Sequence, residues 1–209
     1  MSKTISMSVV NRLPRYYRYL GGLLDMGVTR TSSSELSDLM DITASQIRQD
    51  FSNFGSFGQQ GYGYNVEMLM GKIGNILGLE RVYRLVIIGA GHLGQALANN
   101  SRFTRRGFQF IGLFDIDPSL VGKEIAGLKI RHMDEFGAFT AANKTDIAVL
   151  TAPGESAQEV FKAVSMSGIK GVWNFTNLDL RSSGDIKVQS VHLTDSLMTL
   201  AYMLNEKIE

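Results

Sequence analysis

Leu85-Val86-Ile87-Ile88-Gly89-Ala90-Gly91-His92-Leu93-Gly94 is the stretch on which the fold turns. Four consecutive apolar residues suit a strand buried on both faces. The helical pattern running on through Leu97 makes the glycines the turn of a strand–turn–helix unit. Asp115 stands twenty-one residues past Gly94, closing a second apolar run from Phe110 to Phe114. Each residue type has a task at this spacing. Gly89 permits the tight turn, Gly91 puts no side chain in the way of a pyrophosphate, and Gly94 lets the helix lie close to the strand. Ala90, His92 and Leu93 complete the cradle, where N–H groups at the helix start face the anion. Asp115 is placed to accept hydrogen bonds from ribose hydroxyls and to repel a 2′-phosphate, which favours NAD(H) over NADP(H). The whole is a Rossmann dinucleotide fingerprint in its proper context.

Downstream, the pattern continues as βαβ repetition around a parallel sheet. Ile147–Leu150 reads as a strand ending at Thr151-Ala152-Pro153-Gly154, Glu155–Met166 as a helix, and Ile169–Trp173 as a strand ending at Asn174-Phe175-Thr176. Val188–Leu193 is the last strand candidate. Ligands in such sheets lie beyond the strand C-termini, so Thr151, Ala152 and Pro153 with Asn174, Phe175 and Thr176 are expected to wall the nicotinamide side. Leu193, Leu197, Leu200, Ala201 and Leu204 form an apolar stripe on a C-terminal helix that covers this subunit or reaches into another.

Upstream of residue 84 the periodicity is helical. Val9, Val10, Leu13, Tyr16, Tyr17, Leu20, Leu23 and Leu24 recur at three-to-four spacing, with Gly27 closing the pattern. Pro14 lies inside it, so either a new helix starts there or the helix kinks. Ser33 or Ser34 can cap a helix through Leu36, Leu39 and Met40. Thr43 and Gln46 have capping-box spacing at the head of the next, which carries Ile47, Phe51 and Phe54. Two short helices joined by a short turn make a helix-turn-helix pattern. Glycines alternating with aromatics over Phe54–Val66 then suggest a hairpin, the wing of a winged helix. Residues 66–79 read as a further amphipathic helix bridging two domains. The expected division is 1–84 (winged helix and connecting helix), 85–193 (Rossmann domain) and 194–209 (terminal helix).

Composition narrows the chemistry. The 209 residues carry a formal charge of +1, so nucleic-acid binding has to be argued locally rather than from global charge. Without cysteine there is no thiolate catalysis, disulfide or thiolate metal site, and His92, His132 and His192 lack ligand spacing, so no metal is expected. With no 18-residue apolar run and no secretion-signal core, a cytoplasmic protein without a membrane span is expected. A dehydrogenase needs a placed acid or base and a substrate domain. His192 is the one histidine near the expected nicotinamide end, and a winged-helix pattern occupies the place of a substrate domain. A DNA-binding sensor of nicotinamide redox state is therefore expected rather than an enzyme, with an NAD(H)-dependent oxidoreductase as the alternative.

Over essentially its whole length the sequence resembles the redox-sensing transcriptional repressor (Rex) family. The stretches that carry the resemblance are Arg12-Leu13-Pro14-Arg15-Tyr16-Tyr17-Arg18, Arg30-Thr31-Ser32-Ser33, Gln46-Ile47-Arg48-Gln49-Asp50, Phe57–Tyr64, Gly89–Gly94, Phe114-Asp115 and Gly168–Gly171 with Asn174-Phe175. The resemblance implies a homodimer with a swapped C-terminal helix. It would bind inverted-repeat operator DNA when NAD⁺ occupies the site or NADH is scarce, and release it when NADH closes the dimer. By position, Gln46, Arg48 and Gln49 would face the major groove, Ser32, Ser33, Ser34 and Tyr62 would touch the DNA backbone, and the wing tip Gln59-Gln60-Gly61 would approach the minor groove. Family members often have a basic wing tip; two glutamines release no counterions, so a shallower salt dependence is expected here. Some relatives pair an arginine at the Arg18 position with an aspartate on the swapped helix, followed by a phenylalanine near nicotinamide, and have a tyrosine at the Asn100 position. This chain has His192, Leu193 and Asn100 instead, leaving His192 or Asp195 as partner for Arg18 and Leu193 as the apolar contact.

Overall fold

The computed structural model describes residues 5–55, 58–59, 62–181 and 184–205. The chain divides into two units, 1–81 and 82–209. The expected cut after residue 84 thus falls inside the first strand of the second unit, β4 (Tyr83–Ile88), because pairing starts two residues ahead of the apolar run.

In the first unit, α1 (Met7–Asp25) runs unbroken through Pro14 as a single helix. It ends on Gly27 at φ +75°, where the Val28 N–H reaches back to the Leu23 carbonyl. β1 (Arg30–Thr31) follows, then α2 (Ser33–Met40) and α3 (Ala44–Ser52). Ser32, rather than Ser33 or Ser34, caps α2: its hydroxyl accepts from the Glu35 N–H while the Glu35 carboxylate accepts from the Ser32 N–H. Only Ser32 stands three residues before a glutamate, which the reciprocal cap requires. Thr43 caps α3 as expected, but Gln46 does not close a box with it, and Phe54 lies beyond the helix end. β2 (Gly58–Gln59) and β3 (Gly63–Asn65) form the antiparallel wing, with β1 on the other side of β3. The wing-tip residues Gln60 and Gly61 lie outside the described residues. α4 (Val66–Ile76) is shorter than the pattern suggested and stops before Gly78, which has φ +72°. Leu13, Tyr16, Leu20, Leu36, Met40, Ile47, Phe51, Val66, Leu69 and Ile73 form this unit's buried core.

In the second unit, seven strands lie in the order β10-β9-β8-β4-β5-β7-β6. They are β5 (Phe108–Asp115), β6 (Glu124–Ile125), β7 (Leu128–His132), β8 (Ile147–Leu150), β9 (Gly171–Asn174) and β10 (Lys187–Ser190). All pairings are parallel except the β6–β7 hairpin. The alternation within 85–88 explains the two-sided burial. Val86 and Ile88 join a core with Phe114, Phe136, Leu150 and Val164; Leu85 and Ile87 join another with Leu113, Ile130 and Val149. α7 (Phe136–Ala142) and α8 (Gly154–Met166) contribute to the first core, while Leu97 and Ala98 of α5 (His92–Ala98) pack on the second. α6 (Ser101–Thr104) sets Phe103 edge-on to Phe110 and Trp173. After β7 the chain crosses to the other side of β4, and the reversal opens a crevice beyond the carboxyl ends of β4, β5 and β8. α9 (Leu193–Asn205) has no buried residue; Leu193, Leu197, Leu200 and Leu204 are half or more exposed.

Candidate coenzyme cradle and DNA-reading face

The crevice holds a cavity of about 510 Å³. Of the residues expected to bind coenzyme, Gly89, Gly91, Asp115, Thr151, Ala152 and Pro153 line it together. The glycine turn admits no side chain on its protein face. At Gly89, φ +103°, a Cβ would stand 2.5 Å from the Ala152 nitrogen, and at Gly94 one would stand 2.1 Å from the Gly89 carbonyl oxygen. At Gly91 a Cβ would meet nothing within 4 Å, so the space beside it is open toward the cavity. Thr151 does more than line the wall: its hydroxyl donates to the Gly89 carbonyl (2.6 Å), tying β8's end to the turn.

Asp115 ends β5 and accepts three backbone N–H bonds, from Ala90 (2.6 Å) on Oδ2 and from Ile116 (2.8 Å) and Asp117 (2.9 Å) on Oδ1. A carboxylate has about four lone-pair sites, so one remains, on the oxygen beside Ala90. Asp115 is therefore both the brace of the glycine turn and an acceptor for a single hydroxyl. Gly91, the N-cap of α5, has no side chain with which to cap the first turn, which leaves N–H groups for an anion. A dinucleotide fits these donors and acceptors: glycine backbone for the pyrophosphate and Asp115 for a ribose.

The same cavity is lined by Ile116, Asp117, Leu120, Met133, Ser156 and Val160, none of which the sequence pattern had singled out. Ile116, 66% exposed, adds apolar surface to the cavity's rim. Ala90, His92, Leu93 and Gly94 belong to the turn and helix without lining the cavity. Asn174, Phe175, Thr176 and Leu193 also lie outside it. Asn174 is fully buried, donating to the Leu178 carbonyl (2.8 Å) and Ser190 (3.1 Å) and accepting from the Thr176 hydroxyl (2.7 Å); its amide holds a turn. Phe175 packs on Trp173 at 4.6 Å between ring centroids. Among the remaining switch candidates, the His192 Nε2 lies 3.3 Å from Asp179 Oδ1, and Asn100 caps α6 by accepting from the Arg102 N–H. The Asp195 N–H donates to the His192 carbonyl, and Arg18 lies over the Tyr19 ring at 5.5 Å.

In the first unit, α3 exposes Ser45, Arg48, Gln49 and Ser52, one stripe at helical spacing. Arg48 Nη1 donates to the Ser33 hydroxyl (2.9 Å), setting a cation beside the α2 N-terminus, where Ser34 is also exposed. Gln46 flanks the stripe, half-buried, and donates to Asp50 Oδ1 (2.8 Å). Asp50 is fully buried and is held by Arg12 through two bonds (2.6 and 2.7 Å) and by Tyr16 (2.7 Å). Burial alone would raise the Asp50 pKa, but the bonds from Arg12, Tyr16 and Gln46 and the Arg12 charge outweigh it and hold it below the usual carboxylate range. At the wing base, the exposed Arg30 donates to the Tyr62 carbonyl (2.8 Å) and lies over its ring, adding a cation that sequence pattern alone had not assigned.

Comparisons with known proteins agree with both halves. A family model described as "CoA binding domain" matches residues 80–178, and one described as "Putative DNA-binding protein N-terminus" matches 4–52. Proteins named redox-sensing transcriptional repressor Rex are 54% identical over 99% of this chain and 95% of the relative in Caldicellulosiruptor bescii. In Clostridioides difficile the identity is 53% over 98% of each. Among solved structures, RSP in complex with β-NAD⁺ and operator DNA matches with a TM-score of 0.91, at 49% identity over 98% of this chain and 94% of that one. RSP in complex with β-NADH matches at 0.90, with 48% identity over 98% and 97%. With half its residues shared along nearly the entire length, this chain belongs to the Rex family of redox-sensing transcriptional repressors.

Proposed function

We propose that this protein is a cytoplasmic, homodimeric repressor that binds inverted-repeat operator DNA when NADH is scarce and releases it when NADH fills the cradle. The carrying observation is the coexistence in one chain of a reading stripe on α3 and a glycine cradle braced by Asp115. That RSP is known both with β-NAD⁺ and operator DNA and with β-NADH supports the direction of the switch. The relatives carry the names of repressors, not of dehydrogenases, which sets the oxidoreductase alternative aside. Among the described residues no helix is long and apolar enough to cross a membrane, and no group of three acidic or histidine side chains is placed to hold a metal.

Arg48 and Gln49 read the major groove with Gln46 beside them. Ser32, Ser33, Ser34 and Tyr62 meet phosphates, and the wing enters the minor groove. The uncovered apolar stripe of α9 supports a helix that swaps into the partner, carrying Leu193 toward the nicotinamide. Asn174, Phe175 and Thr176 act as the frame behind that end rather than as its wall. Two α3 helices related by a twofold axis read half-sites about one DNA turn apart, and a rotation that spoils this spacing releases the duplex. By linkage, operator DNA then weakens NADH binding by the factor with which NADH weakens DNA binding. Titration of an inverted-repeat duplex with NADH, NAD⁺ and NADPH separately tests this. Release by NADH alone is expected, and equal behaviour of all three overturns it.

The brace residue gives a sharper expectation. Asp115→Asn keeps the shape but loses the charge that repels a 2′-phosphate and turns one acceptor into a donor facing backbone N–H groups. Calorimetry is expected to show NADH affinity falling about tenfold, the size of one charge-assisted hydrogen bond. NADPH affinity should hold or rise. An unchanged NADH-to-NADPH ratio would remove Asp115 from the ribose.

A further inference from the structure

Asp50 places a charge with no solvent exposure within the reading helix. Its Oδ2 accepts from Arg12 Nε and the Tyr16 hydroxyl, and its Oδ1 from Arg12 Nη2 and Gln46 Nε2. The two-pronged Arg12 already balances the charge. The bond from Gln46 is the one whose consequence reaches the surface, because it fixes a side chain at the edge of the exposed stripe. Facing a carboxylate, the Gln46 amide has one admissible orientation: turned over, Oε1 would oppose another oxygen. One amide hydrogen is consumed, which leaves the other hydrogen and Oε1 of the same amide group for a second partner. A donor adjacent to an acceptor is the complement of the N7 acceptor and N6 donor on the major-groove edge of adenine. A tethered glutamine also has less side-chain freedom to lose on contact than a free one.

We propose that Asp50 is a positioning residue for base recognition: by holding one hydrogen of the Gln46 amide, it presents the remaining donor–acceptor pair to an adenine in each operator half-site. The proposal rests on α3 being the recognition helix, and it extends that reading from where the helix docks to which base one side chain selects.

The test uses the full chain without NADH and a duplex library with two randomised half-sites in inverted repeat. Wild type is expected to enrich an A·T pair at one position of each half-site. That preference is expected to fall roughly tenfold in Gln46→Ala and equally in Asp50→Asn. The double variant should lose no more than either single one, since both act through one contact. Tyr16→Phe removes a bond to the other carboxylate oxygen, so it is expected to lower the thermal midpoint and leave the preference intact. Gln46→Asn keeps the amide one methylene short and leaves the Arg12–Asp50 pair whole; it is expected to lose the preference as well, and a retained preference would overturn the proposal even if Asp50→Asn does not fold. If Asp50→Asn weakens binding to every duplex alike with the base preference retained, or Gln46→Asn retains it, Asp50 is structural and the proposal fails. An enriched repeat with no position sensitive to Gln46→Ala overturns the proposal while leaving the recognition helix standing. No enriched repeat with wild type overturns both.

Discussion

Gly94→Ala is expected to lower NADH affinity by about one to two decades while operator binding without coenzyme persists. The added methyl would stand 2.1 Å from the Gly89 carbonyl oxygen and 3.1 Å from both Ile87 Cγ2 and Thr151 Oγ1. None of these can give way cheaply. The Gly89 carbonyl is already pinned by the Thr151 hydroxyl at 2.6 Å, and Gly89 itself, at φ +103°, is wedged against the backbone at Ala152. The strain must be relieved by α5 moving away from β4, at a cost of about 1–3 kcal/mol as for other overpacked interiors. The first-turn N–H groups retreat with it, and a loss of about 2–3 kcal/mol of anion contact is one to two decades in affinity. Gly91→Ala is the informative companion. Its methyl meets no atom within 4 Å beyond its chain neighbours, so the fold is expected to be unaffected, yet the methyl enters the space proposed for the pyrophosphate. Fluorescence titration with NADH and thermal melts read at Trp173, the sole tryptophan and a residue of this sheet, separate the two. Loss of affinity with loss of stability is expected for Gly94→Ala, and loss of affinity alone for Gly91→Ala. Wild-type affinity in both variants would mean that the coenzyme does not sit on this turn.

The contrast between these glycines shows what sequence can and cannot disclose. The Leu85–Gly94 stretch and Asp115 were legible because the tasks are local: buried strand, turn, helix start and strand end each carry their own residue signature. The wall formed by Ile116, Leu120, Met133 and Val160 was not, since it assembles from the loop after β5, the turn after β7 and α8, and nothing in their spacing announces a shared surface. The β6–β7 hairpin was missed for a similar reason. A parallel crossover ordinarily brings a helix, and here β5 connects to β7 through a short antiparallel strand instead. Polar residues carry a second task that spacing does not disclose. Asn174 and Thr176 sit at a strand end, as ligand-binding residues do, yet their side chains are spent on each other and on the Leu178 carbonyl. Gln46 showed the spacing of a capping box, but a buried carboxylate one turn later offers its amide a stronger partner than a backbone N–H. That carboxylate meets Arg12 across thirty-eight residues, a pairing that no periodicity encodes.

Arg12→Ala is accordingly expected to unfold the winged-helix unit under conditions where the wild type is stable. Removing the guanidinium leaves Asp50 buried with only the Tyr16 hydroxyl and the Gln46 amide, two neutral donors, against a full charge. Breaking a buried pair from one side costs about 3–5 kcal/mol, a large part of the stability of a small domain. The pH dependence identifies the cause. In the wild type, Asp50 titrates lower when folded than the value of about 3.9 for an unfolded aspartate. Its stabilisation is therefore complete above that unfolded value and is lost as pH falls through the folded one. Without Arg12, burial is the larger influence and raises the folded pKa above the unfolded one, so the variant gains relative stability on acidification as the buried charge is neutralised. The gap between the two proteins is thus expected to be widest near neutrality and to close toward acid pH. Five of the seven tyrosines (Tyr16, Tyr17, Tyr19, Tyr62 and Tyr64) and no tryptophan lie in residues 1–81. Urea titrations followed by tyrosine near-UV circular dichroism at neutral and at acid pH therefore report this unit. A destabilisation independent of pH would assign the loss to the packing of the arginine stem rather than to the abandoned charge. A variant as stable as wild type at neutral pH would mean that Asp50 finds another cation or water once Arg12 is gone.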